Sequence, residues 1–293
     1  MNKILLIIKS LRIKQWVKNL FIFIPLIFGN KLLETNNIIS SLLVFIVFCL
    51  LSSSIYLLND IKDKNIDSLH PIKKLRPIAS NLLPIPMAYI TAFFLIVSSI
   101  LITITIDFAL LKFIIFYILL HLLYIIRVKN EDILDVIFIA FGFELRIWTG
   151  SIVLNLNPSI WLQLCVFVLA LFLGFLKRKH EKFILKNIAI QHRSVLSEYN
   201  NSLIDQLVII SGTLCIFFYG FYSVSKEITS KLGNTNMAYT IIFVIYGIFR
   251  YLYLVHNKKV GGDPGEILLS DFPIILNILL WIFSIVILIY IPL

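Results

Sequence analysis

Leu42-Leu43-Val44-Phe45-Ile46-Val47-Phe48-Cys49-Leu50-Leu51-Ser52-Ser53-Ser54-Ile55-Tyr56-Leu57-Leu58 runs without a charge into Asn59-Asp60-Ile61-Lys62-Asp63-Lys64-Asn65-Ile66-Asp67, and then into His70-Pro71-Ile72-Lys73-Lys74-Leu75-Arg76-Pro77. The first part is a membrane-spanning helix. The second places three carboxylates and a carboxamide at its mouth. If the helix continues, Asn59, Asp63 and Asp67 stand at i, i+4 and i+8. Each step drifts only about 40° around the axis, so the three share a face with Asp60 on its flank. A row of hard oxygen ligands suits Mg²⁺, which binds through one or two carboxylates plus a substrate's phosphates. Lys73, Lys74 and Arg76 follow within reach of such phosphates. A loop that only fixed topology would need Lys and Arg, not aligned Asp.

The rest of the chain agrees with a membrane setting. Of 293 residues, 59% are hydrophobic and only 14% charged, with a mean hydropathy of +0.95. Taking about 20 apolar residues per crossing, nine spans are expected at roughly 17–35, 38–58, 85–105, 108–126, 133–154, 160–176, 206–225, 237–256 and 272–291. The fold class is therefore all-α and integral to the membrane, one domain over 1–293, since lipid admits only helices or closed barrels. Residues 1–16 read as an amphipathic interfacial segment, with Trp16 at headgroup level. The stretch Ile4 to Ile8 is too short for a signal-peptide core, so no removable signal is expected.

The net charge of +10 is organised. With the amino terminus inside, 20 of the 26 Lys and Arg residues fall in cytosolic segments. Four fall outside, namely Lys31, Lys112, Lys226 and Lys231, while Arg146 and Arg250 lie in spans. This bias orients the chain with amino terminus and chemistry in the cytosol, in a bacterial inner or plasma membrane. The charge suits anionic lipid or phosphorylated substrates. Nucleic acid is excluded as a partner because the bases are scattered among short loops. The inner loops 59–84 and 177–205 are long and polar, which marks them as the catalytic segments. They follow the second and sixth spans, a faint internal repeat that would set two polar clusters face to face across one cavity. Cys49, Cys165 and Cys215 fall within spans and read as buried apolar residues rather than disulfides.

Further candidates are Tyr124, Arg127 and Lys129 with Asp132 and Asp135, which read equally as snorkelling bases. Arg146, next but one to Glu144, cannot share its helix face. It should lean toward the cytosolic cavity and either pair with a carboxylate elsewhere or meet ligand. His121 reads as a hydrogen-bonded structural residue. Lys177-Arg178-Lys179-His180-Glu181-Lys182 reads as a topology determinant or a phosphate site. Gly261-Gly262-Asp263-Pro264-Gly265-Glu266, with Asp271, marks a turn that could reach a sugar hydroxyl or a metal.

Several of these motifs, in this order, resemble the UbiA superfamily of membrane prenyltransferases, and within it the branch of decaprenyl-phosphate phosphoribosyltransferases. The resemblance is carried by Gln15-Trp16-Val17-Lys18-Asn19, by Asn59-Asp60 through Arg76-Pro77-Ile78-Ala79, by Leu134-Asp135 with Gly142-Phe143 and Leu145-Arg146, and by Gly261-Gly262-Asp263-Pro264. It implies nine helices around a cytosol-facing cavity. It also implies transfer of 5-phosphoribosyl from phosphoribosyl diphosphate to a polyprenyl phosphate, with Mg²⁺ held by Asn59, Asp60, Asp63 and Asp67. Catalysis would rest on Asp60, Asp63, Asp67 and Arg76. Substrate contacts would come from Lys18, Lys73, Lys74, Arg76, Tyr124, Lys129, Arg146, Lys177, Arg178 and Glu181. The wider superfamily carries a second aspartate-rich motif after span six, where this chain has one carboxylate among bases. That departure places an aromatic or quinone-precursor prenyltransferase second. A transporter is third, because its ionisable groups would cluster near the midplane.

Overall fold

The computed structural model describes residues 3–185, 200–257 and 264–291, and all regular structure among them is helical. The helices are α1 (Lys3–Ser10), α2 (Ile24–Phe28), α3 (Thr35–Lys62), α4 (Lys64–Leu69), α5 (Ile85–Ile106), α6 (Leu111–Ile126), α7 (Leu134–Ile152), α8 (Ile160–Leu185), α9 (Asn201–Ser223), α10 (Lys226–Leu232), α11 (Ile241–Asn257), α12 (Pro264–Ser270) and α13 (Phe272–Tyr290). Among the described residues seven helices are long and apolar enough to cross a membrane, built on α3, α5, α6, α8, α9, α11 and α13. The protein is an integral membrane protein.

The remaining two of the nine expected spans take other forms. The span at 133–154 is α7, of adequate length at 19 residues but bearing Asp135, Glu144 and Arg146. The span at 17–35 is not one helix. Arg12 adopts a left-handed φ of 53°, and Ile13–Phe23 winds as a 3₁₀ helix before α2. Pro25 falls in the first turn of α2, where its missing N–H costs nothing and where a continuous helix would instead lose a bond. The chain then turns at Gly29. Trp16 is not free at headgroup level, since its Nε1 donates to Ser53 Oγ at 3.0 Å.

The inner segment 177–205 is likewise not a loop from its start. Lys177 to Ile184 contains no Gly or Pro and is rich in good helix formers, so α8 runs through the basic cluster to Leu185. Residues 186–199 and 258–263 lie outside the described residues, and with them Lys186, Arg193, Lys258, Lys259 and the Gly-Gly-Asp of the expected turn.

Packing falls into two main cores joined by α7. One gathers Val44, Phe48 and Leu51 of α3, Ile114, Tyr117 and Leu120 of α6, and Leu145 of α7. The other gathers Val136 of α7, Phe172, Phe175 and Leu176 of α8, Val208 and Tyr219 of α9, Ile248 and Tyr251 of α11, and Ile274 and Ile285 of α13. Close approach at the junction depends on Gly150, where a Cβ would collide with the carbonyl of Ile22. The outer faces carry exposed Phe93, Phe94, Phe116, Leu119, Phe217, Phe249 and Phe283, an apolar girdle suited to lipid.

Candidate functional site

A cavity of about 900 Å³ opens at the end of the bundle where α3 stops. Its wall carries Lys9, Arg12, Lys14, Lys18, Lys62, Lys73, Arg76, Lys129, Arg146 and Lys177 against three carboxylates, Asp63, Asp67 and Glu181. A concave surface so dominated by one sign focuses field and draws anions.

The aspartate row does not stay on one helix. α3 ends at Lys62, and Asp63 is its cap at φ −93°, ψ 6°. The backbone bends there, with Asp63 N–H donating to Asn59 O at 2.9 Å and Asp67 N–H to Asp63 O at 2.7 Å. The bend sends the carboxylates to different partners. Asp63 pairs with Lys129. Asp67 pairs with Arg76. Asp60 is 2% exposed, does not line the cavity, and pairs with Arg12 and, at 3.1 Å, with Arg76. Arg76 is thus clasped by two carboxylates at once. His70 shapes the following turn: its buried Nδ1 accepts from the N–H groups of Ile72 (3.0 Å) and Lys73 (3.2 Å), which aims Lys73 inward.

Among the described residues no three His, Cys, Asp or Glu side chains cluster tightly enough to hold a metal ion by themselves. The donors present nevertheless fit a hard cation. Asn59 Oδ1 is buried without a partner, and Asp63 and Asp67 join it on the cavity wall. An oxygen-only set of this size leaves coordination positions to be filled by phosphate and water.

The two polar clusters do face each other, as Lys73 Nζ lies 3.7 Å from Glu181 Oε1 across the mouth. Within α8, however, the bases divide. Lys177, His180 and Glu181 line the cavity. Arg178 is 1% exposed and donates to Asp135 Oδ2 at 2.6 Å, Glu181 Oε2 at 2.5 Å and Tyr124 OH at 3.4 Å. It is a buried tie between α7 and α8, and it is not on the cavity wall. Lys179 turns to Asp205 of α9 (2.6 Å) and His256 of α11.

At the deep end, Arg146 reaches back along α7 to Gly142 O (2.5 Å) and across to Asn19 Oδ1 (2.8 Å) and Tyr117 OH (3.0 Å). Asn19 in turn donates to Ser52 Oγ at 3.2 Å. His121 is not the hydrogen-bonded residue expected, because its Nε2 is buried without a partner.

The cavity therefore brings together Lys18, Asn59, Asp63, Asp67, Lys73, Arg76, Tyr124, Lys129, Arg146, Lys177 and Glu181. It leaves out Asp60, Arg178 and the exposed Lys74. Asp271 serves structure: it pairs with Arg250 at 2.9 Å and caps α13 by accepting from Ile274 N–H at 3.1 Å. Residues the sequence reading passed over include Ser52, Ser53, Asn19 and Tyr117, which fix the inner wall. The signal was present as three consecutive serines in an otherwise apolar span.

The UbiA prenyltransferase family model matches residues 22–263. A decaprenyl-phosphate phosphoribosyltransferase of Mycolicibacterium smegmatis is 31% identical over 94% of this chain and 90% of its own length. One of Corynebacterium glutamicum is 32% identical over 97% and 86%. A solved UbiA homologue of Archaeoglobus fulgidus, bound to GPP and Mg²⁺, superposes with a TM-score of 0.74 at 14% identity, covering 96% of this chain and 99% of its own. With the helical bundle and its aspartate-bearing mouth, these likenesses place the chain in the UbiA prenyltransferase family.

Proposed function

We propose that this protein is a pentosyltransferase. It moves the 5-phosphoribosyl group of phosphoribosyl diphosphate onto a polyprenyl phosphate, with Mg²⁺ as cofactor, at the cytosolic face of a bacterial inner membrane. The observation that carries the reading is the composition of the cavity wall. One oxygen-bearing flank, Asn59, Asp63 and Asp67, is surrounded by bases, and the facing end of α8 offers a single cavity-lining carboxylate, Glu181, engaged by Arg178 and Lys73. A prenyl donor held through two carboxylate-rich flanks would find only one among the described residues. The names of the relatives, which cover most of their own lengths, support the same reaction.

In this reading Asn59, Asp63 and Asp67 would hold Mg²⁺, which would supply positive charge beside the diphosphate. Lys129 and Arg76, already positioned by Asp63 and Asp67, donate to the phosphate oxygens. Such preorganised donors are usually the largest catalytic term. An oxygen of the lipid phosphate attacks the anomeric carbon as the bond to diphosphate breaks, and diphosphate leaves with the electron pair. The second ionisation of a phosphate monoester lies near pH 6, so the nucleophile is already charged at neutral pH and no general base is required. Lys177 and Lys18, both on the cavity wall, meet the lipid phosphate, while the tail remains in the bilayer.

The test is to incubate purified protein with labelled phosphoribosyl diphosphate, Mg²⁺ and polyprenyl phosphate. Label should appear in the lipid fraction. Formation of prenylated 4-hydroxybenzoate from a polyprenyl diphosphate, with no lipid-linked pentose phosphate, would overturn the assignment.

A further inference from the structure

Arg146 is 6% exposed yet forms no ion pair among the described residues. Its partners, Asn19 Oδ1, Gly142 O and Tyr117 OH, are all neutral, and Glu144 on the same helix is not among them. The rings of Phe48, Tyr117 and Phe143, 5.1–5.4 Å from its guanidinium carbon, offset part of the cost of burying a cation without a counterion, and within a membrane such a residue faces a cavity or a partner. Arg146 lines the cavity. The three bonds use the Nε–H and one N–H on each terminal nitrogen. A guanidinium has five such donors, so one remains on each terminal nitrogen. Both are charge-assisted donors of the kind a phosphate oxygen accepts.

His121 adds an independent observation. Its ring stacks edge-on to Tyr117 with centroids 4.3 Å apart, and its Nε2 is buried and unpartnered on the same cavity wall. Gly142 lets α7 pack closely against His121. A Cβ there would stand 3.1 Å from His121 Nε2 and 3.6 Å from an Arg146 terminal nitrogen.

We infer that Arg146 and His121 form a phosphate monoester site at the floor of the cavity, and that its occupant is the 5-phosphate of the pentose donor. The inference rests on the reaction proposed above and assigns the two ends of its donor. Asn19 ties Arg146 to the level of Ser52, and seven residues of α3 separate Ser52 from Asn59. At 1.5 Å per residue that is roughly 10 Å. The diphosphate then lies at the mouth among Asn59, Asp63 and Asp67, and the monophosphate at the floor, with the sugar between them. The anomeric carbon is thereby turned toward the mouth, where the lipid phosphate arrives. A floor that demands a second phosphate also rejects prenyl diphosphates, whose far end is apolar.

The experiment measures binding of ribose 5-phosphate, which lacks the diphosphate, to the full chain in detergent by calorimetry, beside inhibition by diphosphate and the KM of polyprenyl phosphate. Wild type should bind ribose 5-phosphate. Arg146→Gln should weaken that binding about 10- to 100-fold, the size of charge-assisted hydrogen bonds, and leave diphosphate inhibition and the lipid KM unchanged. His121→Ala keeps every Arg146 bond and so guards against misfolding of the first variant; it should weaken binding about 2- to 10-fold. A rise in lipid KM with ribose 5-phosphate binding intact would give the floor to the acceptor and overturn the inference. So would wild type that transfers phosphoribosyl yet does not bind ribose 5-phosphate. Wild type that binds ribose 5-phosphate but makes no lipid-linked product sinks the proposed reaction and leaves the floor site standing.

Discussion

The ends of α3 and α8 look alike in sequence, each an apolar helix breaking into charge at the inner surface, yet they are wired in opposite ways. At the end of α3 the backbone bends at Asp63, and the carboxylates spread onto a cavity wall where Lys129 and Arg76 meet them. At the end of α8 the helix continues, and Arg178 sinks into a closed set with Asp135 and Glu181, both of its bond partners buried. The first arrangement leaves charges where a ligand can compete for them. The second has saturated Arg178, although Lys177 and Glu181 beside it still line the cavity. Density of charge in a sequence therefore says where chemistry can be, while the backbone's continuation past the membrane decides whether the charges are offered or consumed.

Substitutions separate the two. Arg178→Gln leaves Asp135 and Glu181 buried without their cation. It should cost about 3–5 kcal/mol of stability, read as a large fall in thermal midpoint in detergent; an unchanged midpoint would mean the set is not a structural tie. Asp63→Asn keeps shape and removes a ligand from the offered side. Turnover should fall at least about 100-fold at saturating Mg²⁺ with the midpoint preserved, and near-normal turnover would remove Asp63 from the site. Gly150→Ala probes the close contact between the last turn of α7 and the 3₁₀ segment. A methyl against the Ile22 carbonyl should cost about 1–3 kcal/mol by thermal denaturation, with no selective effect on either KM. Lys177→Gln, one residue from Arg178, should leave stability intact and raise the lipid KM a few-fold, as a contact shared by ground and transition states does. A rise in the donor KM alone would move Lys177 to the donor side.

Much of this was legible from residues. The spans at α3, α5, α6, α8, α9, α11 and α13 follow from apolar runs, and the Lys73–Glu181 contact bears out the expectation that the two clusters share one cavity. The backward lean of Arg146, seen in its bond to Gly142 O, follows from the direction of helical side chains. Other features depend on partners far away in sequence. Arg178 reads as an available base until Asp135, 43 positions earlier, is brought to it. The bend at Asp63 has no Gly or Pro to announce it, so the aligned row of oxygens was drawn on a helix that stops. His121 resembles any buried histidine until its empty Nε2 is found beside Arg146.

The 3₁₀ segment Ile13–Phe23 has a geometric consequence that an α-helical reading hides. With three residues per turn, positions three apart eclipse each other. Gln15, Lys18 and Phe21 form one straight edge, and all three border the cavity. Trp16, Asn19 and Ile22 form the adjacent edge. Trp16 and Asn19 bond to Ser53 and Ser52 of α3, and Ile22 is fully buried. One edge of the segment is held to the scaffold, while Gln15, Lys18 and Phe21, with Lys14 and Val17 of the third edge, reach the cavity. Its rise of about 2.0 Å per residue also makes its eleven residues cover about 22 Å, some 5 Å more than an α-helix would reach. A ligand tugging on Gln15 or Lys18 would therefore pull along a rigid edge rather than twist a coil, and the strain would arrive directly at the serines of α3.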